Sequence, residues 1–534
     1  MIMSSTIGGM MWRGYRPCSL YMNGNAGTIS VDQPVIIHET RTLPAVAVAE
    51  SAVSQLNLAI SALRADPPRS NSGIIRLEVP IMEKVAAIDW LHAQHHLPCC
   101  YFSGRGQKRE RDLIGISGNG HGGFHDKDDK CFVSVAGVGS AVSFRGSDPF
   151  SLEDWKCIQR FLSKDCPLVR AYGAIRFDAK RNISTEWKEF GSFYFIVPQV
   201  EFDEFEDGSM LATTIAWDDY LLLTWEEAVD GLLATMNQLL VRFDKLEKFI
   251  QRTTIVGCSH VPSKASWNDS VTKALEIINR RHSDLVKVVL ARCSRYITDC
   301  VIDPLVLLAS LQIEGQNAYQ FYIQPSNAPA FIGNTPEKLF HRKCLNISSE
   351  ALAGTRARGV TKIQDFQNGQ DLLYSRKDDI EFTIVRDIIR AKLETICINE
   401  VIIDPRKALR KLPGVQHLCA ELFGKLRREC DEFDVLASLH PSPAVCGMPS
   451  EEARKFIEEH ETFDRGMYAG PVGWFGGSES EFAVGIRSAL VGQDLNTLVF
   501  AGAGIVEGTI PSLEWEEVDL KISQFTTVMN SKHV

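Results

Sequence analysis

Charged residues set among apolar or tightly turned neighbours mark where this chain can do chemistry, because a buried charge is kept only with a partner or a purpose. Lys287 interrupts the β-rich run DLVKVVLAR (284–292), and a partly desolvated lysine can serve as a neutral base. Glu337 follows the turn in FIGNTPEKLF (331–340), where a carboxyl at a turn mouth can act as a general acid. On a helix starting near Lys377, Glu381 shares a face with Ile384, Val385 and Ile388, so its carboxylate points into the core and needs a cation. On the last helix, begun by Pro511 and Ser512, Glu514, Glu517 and Lys521 are spaced by three and four, with Leu513 and Leu520 on the face of Glu517. Two buried carboxylates on separate helices suit a hard divalent cation that keeps waters and binds substrate oxygens, Mg²⁺ above all. The run AGAGIV (501–506), placed between a strand and that helix, offers bare backbone N–H groups to an anion.

The elements that must position these groups mix helix and strand without a β-α-β rhythm, which predicts a large α+β body with antiparallel sheets flanked by helices. An Ala-rich helical pattern covers 43–65 and is broken at Asp66-Pro67-Pro68. Strands are expected at Ile74–Val79, Cys99–Phe102, Cys131–Val138 and Phe193–Val197. A long helix is expected from Trp225 to Gln251, joining or bracing two lobes, with Val229, Leu232, Leu233, Met236, Leu239 and Leu240 on one side. A Ser, Thr, Gly and Pro-rich stretch, 253–268, follows it. The literal G-x-G-x-x-G at 118–123 reads as a solvated loop, because the charged residues after it lack the apolar period of a dinucleotide-binding helix.

The 534 residues carry 57 Lys and Arg against 67 Asp and Glu, a net charge of −10, which argues against a nucleic-acid partner and for a small-molecule one. No stretch approaches the roughly 20 apolar residues of a membrane span. The 14 cysteines show no C-x-x-C pair, so a reducing compartment is expected. Residues 1–31 hold no acid, two arginines (Arg13, Arg16) and many Ser, Thr, Gly and Met, the composition of an organellar transit peptide.

Over roughly 263–525 the motifs KVVLAR, FIGNTPEKLF, ALAGTRARG, SRKDDIEF, HPSPAVCG, FDRGMYAGPVGWF, FAVGIR, AGAGIV and LEWEEVDLK resemble, in family order, the chorismate-utilising enzymes. These are the isochorismate and salicylate synthases and the large subunits of anthranilate and aminodeoxychorismate synthases. The wording is nearest to the plant, plastidial isochorismate synthases, including Phe382 where bacterial relatives usually carry His. The resemblance implies the family's chorismate-binding α+β fold, with Lys287 as the base that activates water for attack at C2 and Glu337 as the acid for the departing C4 hydroxyl. It implies Mg²⁺ on Glu381 and Glu517, with Glu514 nearby. It also implies that Arg487 and Lys521, with Gly354, Gly502 and the Thr355 hydroxyl, hold substrate carboxylates, while Tyr468 lines the pocket and His440 is a turn residue.

Lys287, where aminating relatives typically have Gln, and Ala353, where aminodeoxychorismate synthase has its nucleophilic Lys, both favour water as nucleophile. No glutaminase subunit is expected, and a monomer is. The expected organisation is a plastid transit peptide and flexible start at 1–45, the N-terminal part of the body at 46–252 and a chorismate-binding catalytic region at 253–534, with the product feeding phylloquinone, salicylate or both. The alternatives are a bifunctional enzyme of the salicylate synthase kind and a non-catalytic chorismate-binding regulatory protein.

Overall fold

The computed structural model describes residues 33–105, 113–115, 132–249, 253–314, 317–428, 432–492 and 497–530. The transit-peptide reading of the first 31 residues and the glycine-rich loop at 118–123 lie outside them. Two sheets carry the fold. One runs from the edge strand Ile37–Thr42 through Ser72–Ile81, Cys99–Ser103, Tyr319–Gln324 and Ala330–Thr335 to Thr497–Ile505, Lys287–Thr298 and the far edge Ile255–Val261. The other contains Asn346–Ala357 and Val415–Lys425 at its centre, flanked by Lys338–Lys343, Glu479–Val484 and Pro471–Gly476. Apart from the parallel pair Ile37–Thr42 and Ser72–Ile81, the pairings are antiparallel, as the irregular order of helix and strand requires. Strands from both halves of the chain share the first sheet and meet where Cys99–Ser103 pairs Tyr319–Gln324 residue for residue.

The sheets are joined through an aromatic core, in which Phe190 lies 6.4 Å from Phe331 of the first sheet and 6.3 Å from Tyr194 of the second. Trp187 meets Phe331 edge-on at 5.4 Å and Phe500 at 6.0 Å, and Phe475 lies 4.6 Å from Phe482 and 5.2 Å from Phe195. Gly466 allows Trp187 its place, since a Cβ there would run into the indole.

Several elements depart from the sequence pattern. The helix begun at Trp225 ends at Met236, and only a short 3₁₀ turn, Leu246–Phe249, follows it. The Gln94 side chain explains the break: it accepts from Leu240 N at 3.0 Å and donates to Leu240 O at 2.9 Å, taking that backbone out of the helix. The shortened helix bridges no lobes; it packs on Gly208–Asp218 and the helix Ala49–Ala65. That helix begins at Ala49, because Val46 is tied to Ile81 as a bridge. The Ser and Thr-rich stretch after 253 is the edge strand Ile255–Val261 and the start of the helix Lys264–Ile278, capped by Ser263. Among the described residues no helix is long and apolar enough to cross a membrane.

Candidate active site

Two crossings, one bulge and one close strand pairing bring the charged residues together. The chain leaves the first sheet at Thr335 and enters the second at Lys338, so Pro336 and Glu337 form the crossing between them. It returns from Glu479–Val484 to Ser488–Val491, and Arg487, in the left-handed region at φ 49°, sits at that second crossing. In Asn346–Ala357 the register slips between Ala353 and Arg356; Gly354, at φ 68°, and Thr355 are the bulged residues and turn into the cleft. The strand Thr497–Ile505 lies along Lys287–Thr298 with Gly502 opposite Ala291 and Gly504 opposite Val289.

Together they line a cleft between the two sheets that is partly open to solvent. Glu337, Gly354, Thr355, Glu381, Tyr468, Arg487, Gly502, Glu517 and Lys521, all selected from sequence, line it. So do Ala353 and the Ala444-Val445 pair of HPSPAVCG. His440 stays outside, its ring bonded to Arg176 O at 3.1 Å, in keeping with the turn reading. Lys287 and Glu514 stand just behind the lining. Lys287 is fully buried and pairs with Glu381 Oε1 at 3.2 Å across Gly504, where a Cβ would run into that oxygen and lie 3.1 Å from Lys287 Cε. Glu514 pairs with Lys377 at 2.9 Å, and the same ammonium is 3.5 Å from Glu381 Oε2.

Electrostatics separate these carboxyls. Burial pushes Glu337 up to about 8 against the pull of Lys287 and Lys521, so its side chain is an acid at neutral pH. Burial, then the charge of Glu517, raises Glu514 to about 7. Burial also opposes ionisation of Glu517, but Lys521, bonded at 2.8 Å, and Lys377 outweigh it and hold that carboxyl at about 2. Glu381 is held below its ordinary value in the same way, with Lys287 and Lys377 overcoming burial. Lys521 also donates to Gly502 O at 2.8 Å.

Two readings from sequence need correction. Leu513 is 54% exposed and Leu520 half-buried, so leucines do not bury Glu517; the inward stripe of that helix is Glu514, Trp515, Val518, Ile522 and Phe525. Leu513 and Leu520 do lie on the side of Glu517, but at 100° per residue that side is turned away from the inward stripe. The AGAGI residues are part of the strand rather than a loop after it, so their glycines supply close approach and a carbonyl for Lys521, not a free row of N–H donors.

Sequence reasoning missed His417 and Lys377. His417 Nδ1 is 2.9 Å from Gly354 O and Nε2 is 3.3 Å from an Arg487 nitrogen, so Nδ1 donates to the carbonyl and Nε2 accepts from the guanidinium. Burial, with Arg487 beside it, lowers His417 to about 3 and keeps it neutral. A polar residue in the apolar run VQHLCAELF was its signal, and the i,i+4 spacing of Lys377 and Glu381 was that of the lysine.

Among the described residues no three His, Cys, Asp or Glu side chains converge to cage a cation unaided. The donor set nevertheless fits Mg²⁺, which takes one or two carboxylates and keeps waters. Glu381 and Glu517 face one cleft, and Glu514 Oε2 is buried without a hydrogen-bond partner.

An α+β body with a buried acid, a buried lysine and two further cations, Arg487 and Lys521, around one partly open cleft has the make-up of an enzyme for a small anionic substrate. A family model described as chorismate binding enzyme matches residues 120–530. The chain is 53% identical to the chloroplastic isochorismate synthase of Catharanthus roseus over 524 residues, covering 96% of this chain and 90% of that one. It is 54% identical to the chloroplastic isochorismate synthase 2 of Arabidopsis thaliana, over 95% and 90%. The solved structure of MenF, the menaquinone-specific isochorismate synthase of Escherichia coli, superposes with a TM-score of 0.72 at 24% identity, covering 90% of this chain and 99% of that one, and shows the same fold. The chain therefore belongs to the chorismate-binding enzyme family.

Proposed function

We propose that this protein is an isochorismate synthase, an isomerase that interconverts chorismate and isochorismate by adding water at C2 with loss of the C4 hydroxyl. The observation that carries the reading is the pairing of roles at one cleft: a carboxyl kept protonated to about pH 8, Glu337, in the lining, and a buried amine, Lys287, just behind it beside Glu381. Hydroxyl exchange on a dianion asks for a base on one side, an acid on the other and cations for both carboxylates. In its neutral amine form Lys287 takes the proton of the attacking water, and Glu337 gives one to the leaving C4 oxygen.

Arg487, fixed by neutral His417, and Lys521, fixed by Gly502 O, orient the substrate carboxylates, with Thr355 and the Gly354 backbone beside them and Tyr468 closing the wall. Glu381 and Glu517 would hold Mg²⁺, with Glu514 behind them; the ion supplies a positive charge for the ring carboxylate when bound. The 53–54% identity to two plant proteins named chloroplastic supports plastid import directed by the acid-free residues 1–31; the strand Ile37–Thr42, placed in the flexible start from sequence, pairs with Ser72–Ile81, so the first part of the body begins before residue 46 and runs to 252, followed by 253–534.

Conversion in ¹⁸O-labelled water tests the reaction type. Isochorismate heavier by one ¹⁸O supports external water addition; unlabelled product contradicts it.

A further inference from the structure

We propose that Arg105 is a positioning residue for Glu337, acting through the backbone of the crossing that carries it. The inference rests on Glu337 being the catalytic acid. A crossing between two sheets has no ladder on either side, so its backbone groups need other partners. Arg105 Nη1 donates to Pro336 O at 2.9 Å and to Glu350 Oε2 at 2.9 Å. That same Glu350 oxygen lies 3.4 Å from Lys338 N. One buried ion pair therefore grips the chain on both sides of Glu337, while Thr335 Oγ1 at 3.3 Å from Glu337 N and Val484 N at 3.0 Å from Glu337 O complete the hold.

The pair is built to stay fixed. Glu350 is fully buried on Asn346–Ala357 and also pairs with Arg410, and the Arg105 side chain is 8% exposed, its guanidinium 5.4 Å over the Tyr319 ring. Arg105 lies just beyond Cys99–Ser103, so a residue of the N-terminal half reaches the acid of the C-terminal half. Neither Arg105 nor Glu350 lines the cleft. The charges acting on Glu337 itself are those of Lys287 and Lys521, and Tyr468 faces it; none of these changes when Arg105 is replaced.

The test is the pH dependence of kcat and KM for chorismate conversion by the full chain, its Arg105→Met and Arg105→Lys variants and Glu337→Gln. Arg105→Met should lower kcat at least about tenfold with KM within about threefold. Its alkaline limb should move down by about one pH unit, because a loosened crossing lets water reach the carboxyl. Arg105→Lys, which keeps the buried charge and one donor, should recover part of both effects and gives the same readouts if the Met variant does not fold. An unchanged limb, whether kcat is unchanged or falls only with the folded fraction seen in thermal melts, overturns the inference. Activity in Glu337→Gln overturns the acid assignment and the inference with it, whereas a dead Glu337→Gln beside a normal Arg105→Met overturns the inference alone.

Discussion

Lys287 Nζ lies 3.2 Å from Glu381 Oε1, so the proposed base and a proposed metal ligand are partners in one buried ion pair, held on neighbouring elements across Gly504. Removing Glu381 leaves the buried Lys287 without its ion-pair partner, a loss of about 3–5 kcal/mol, and removing Lys287 leaves Glu381 only Lys377, at 3.5 Å. Lys287→Ala should therefore abolish turnover and also lower stability. The double variant Lys287→Met, Glu381→Leu separates the two effects: it should melt nearer the parent than either single variant and remain inactive. Substantial turnover in Lys287→Ala would remove the base from the mechanism.

Glu337 carries a pH signature. Its folded value of about 8 stands above its ordinary 4.5, so the folded protein keeps a proton that the unfolded chain gives up between those values. This contribution to stability is whole below about pH 4.5 and is lost as pH rises towards about 8. Glu337→Gln, neutral at every pH, should flatten the fall in melting temperature across that window while abolishing turnover. A variant that melts with the parent's pH dependence would place the proton elsewhere.

Gly504→Ala should disable the site without touching a charged residue. The added methyl meets Glu381 Oε1 and Lys287 Cε, and overpacking of this kind costs about 1–3 kcal/mol. Steady-state assay should show kcat reduced at least about tenfold; parental kcat would mean that the pair has room to shift without consequence.

Lys377 bridges Glu381 and Glu514, so replacing it with Met leaves carboxylates facing one another. The variant should melt lower than the parent in EDTA and gain more melting temperature from Mg²⁺ than the parent does, because a divalent cation then replaces the missing charge. Equal Mg²⁺ shifts in both proteins would take these carboxylates out of the metal site.

How much of this was legible in the sequence follows from what each signal depended on. Glu381 was readable because an acid at helical spacing to Val385 can only face inward, and the strand Phe193–Val197 because its apolar run is bounded by Pro198. The helix from Trp225 was overcalled, since nothing local announces that Gln94, far away in sequence, claims the backbone of Leu240. Glu337 and Arg487 could be chosen as residues, but not their common origin at two crossings between sheets, which is a property of topology. His417 was passed over because a lone histidine in an apolar strand gives no hint that it orients a guanidinium.

The central claim is that this cleft adds water to chorismate and does nothing further. Proton NMR of chorismate incubated with Mg²⁺ and the protein lacking residues 1–31, which keeps the strand Ile37–Thr42, without and with EDTA or ammonium, is the decisive measurement. Isochorismate is expected as sole product, lost with EDTA and unaltered by ammonium. Salicylate with pyruvate, an aminated product, or chorismate left intact would contradict it.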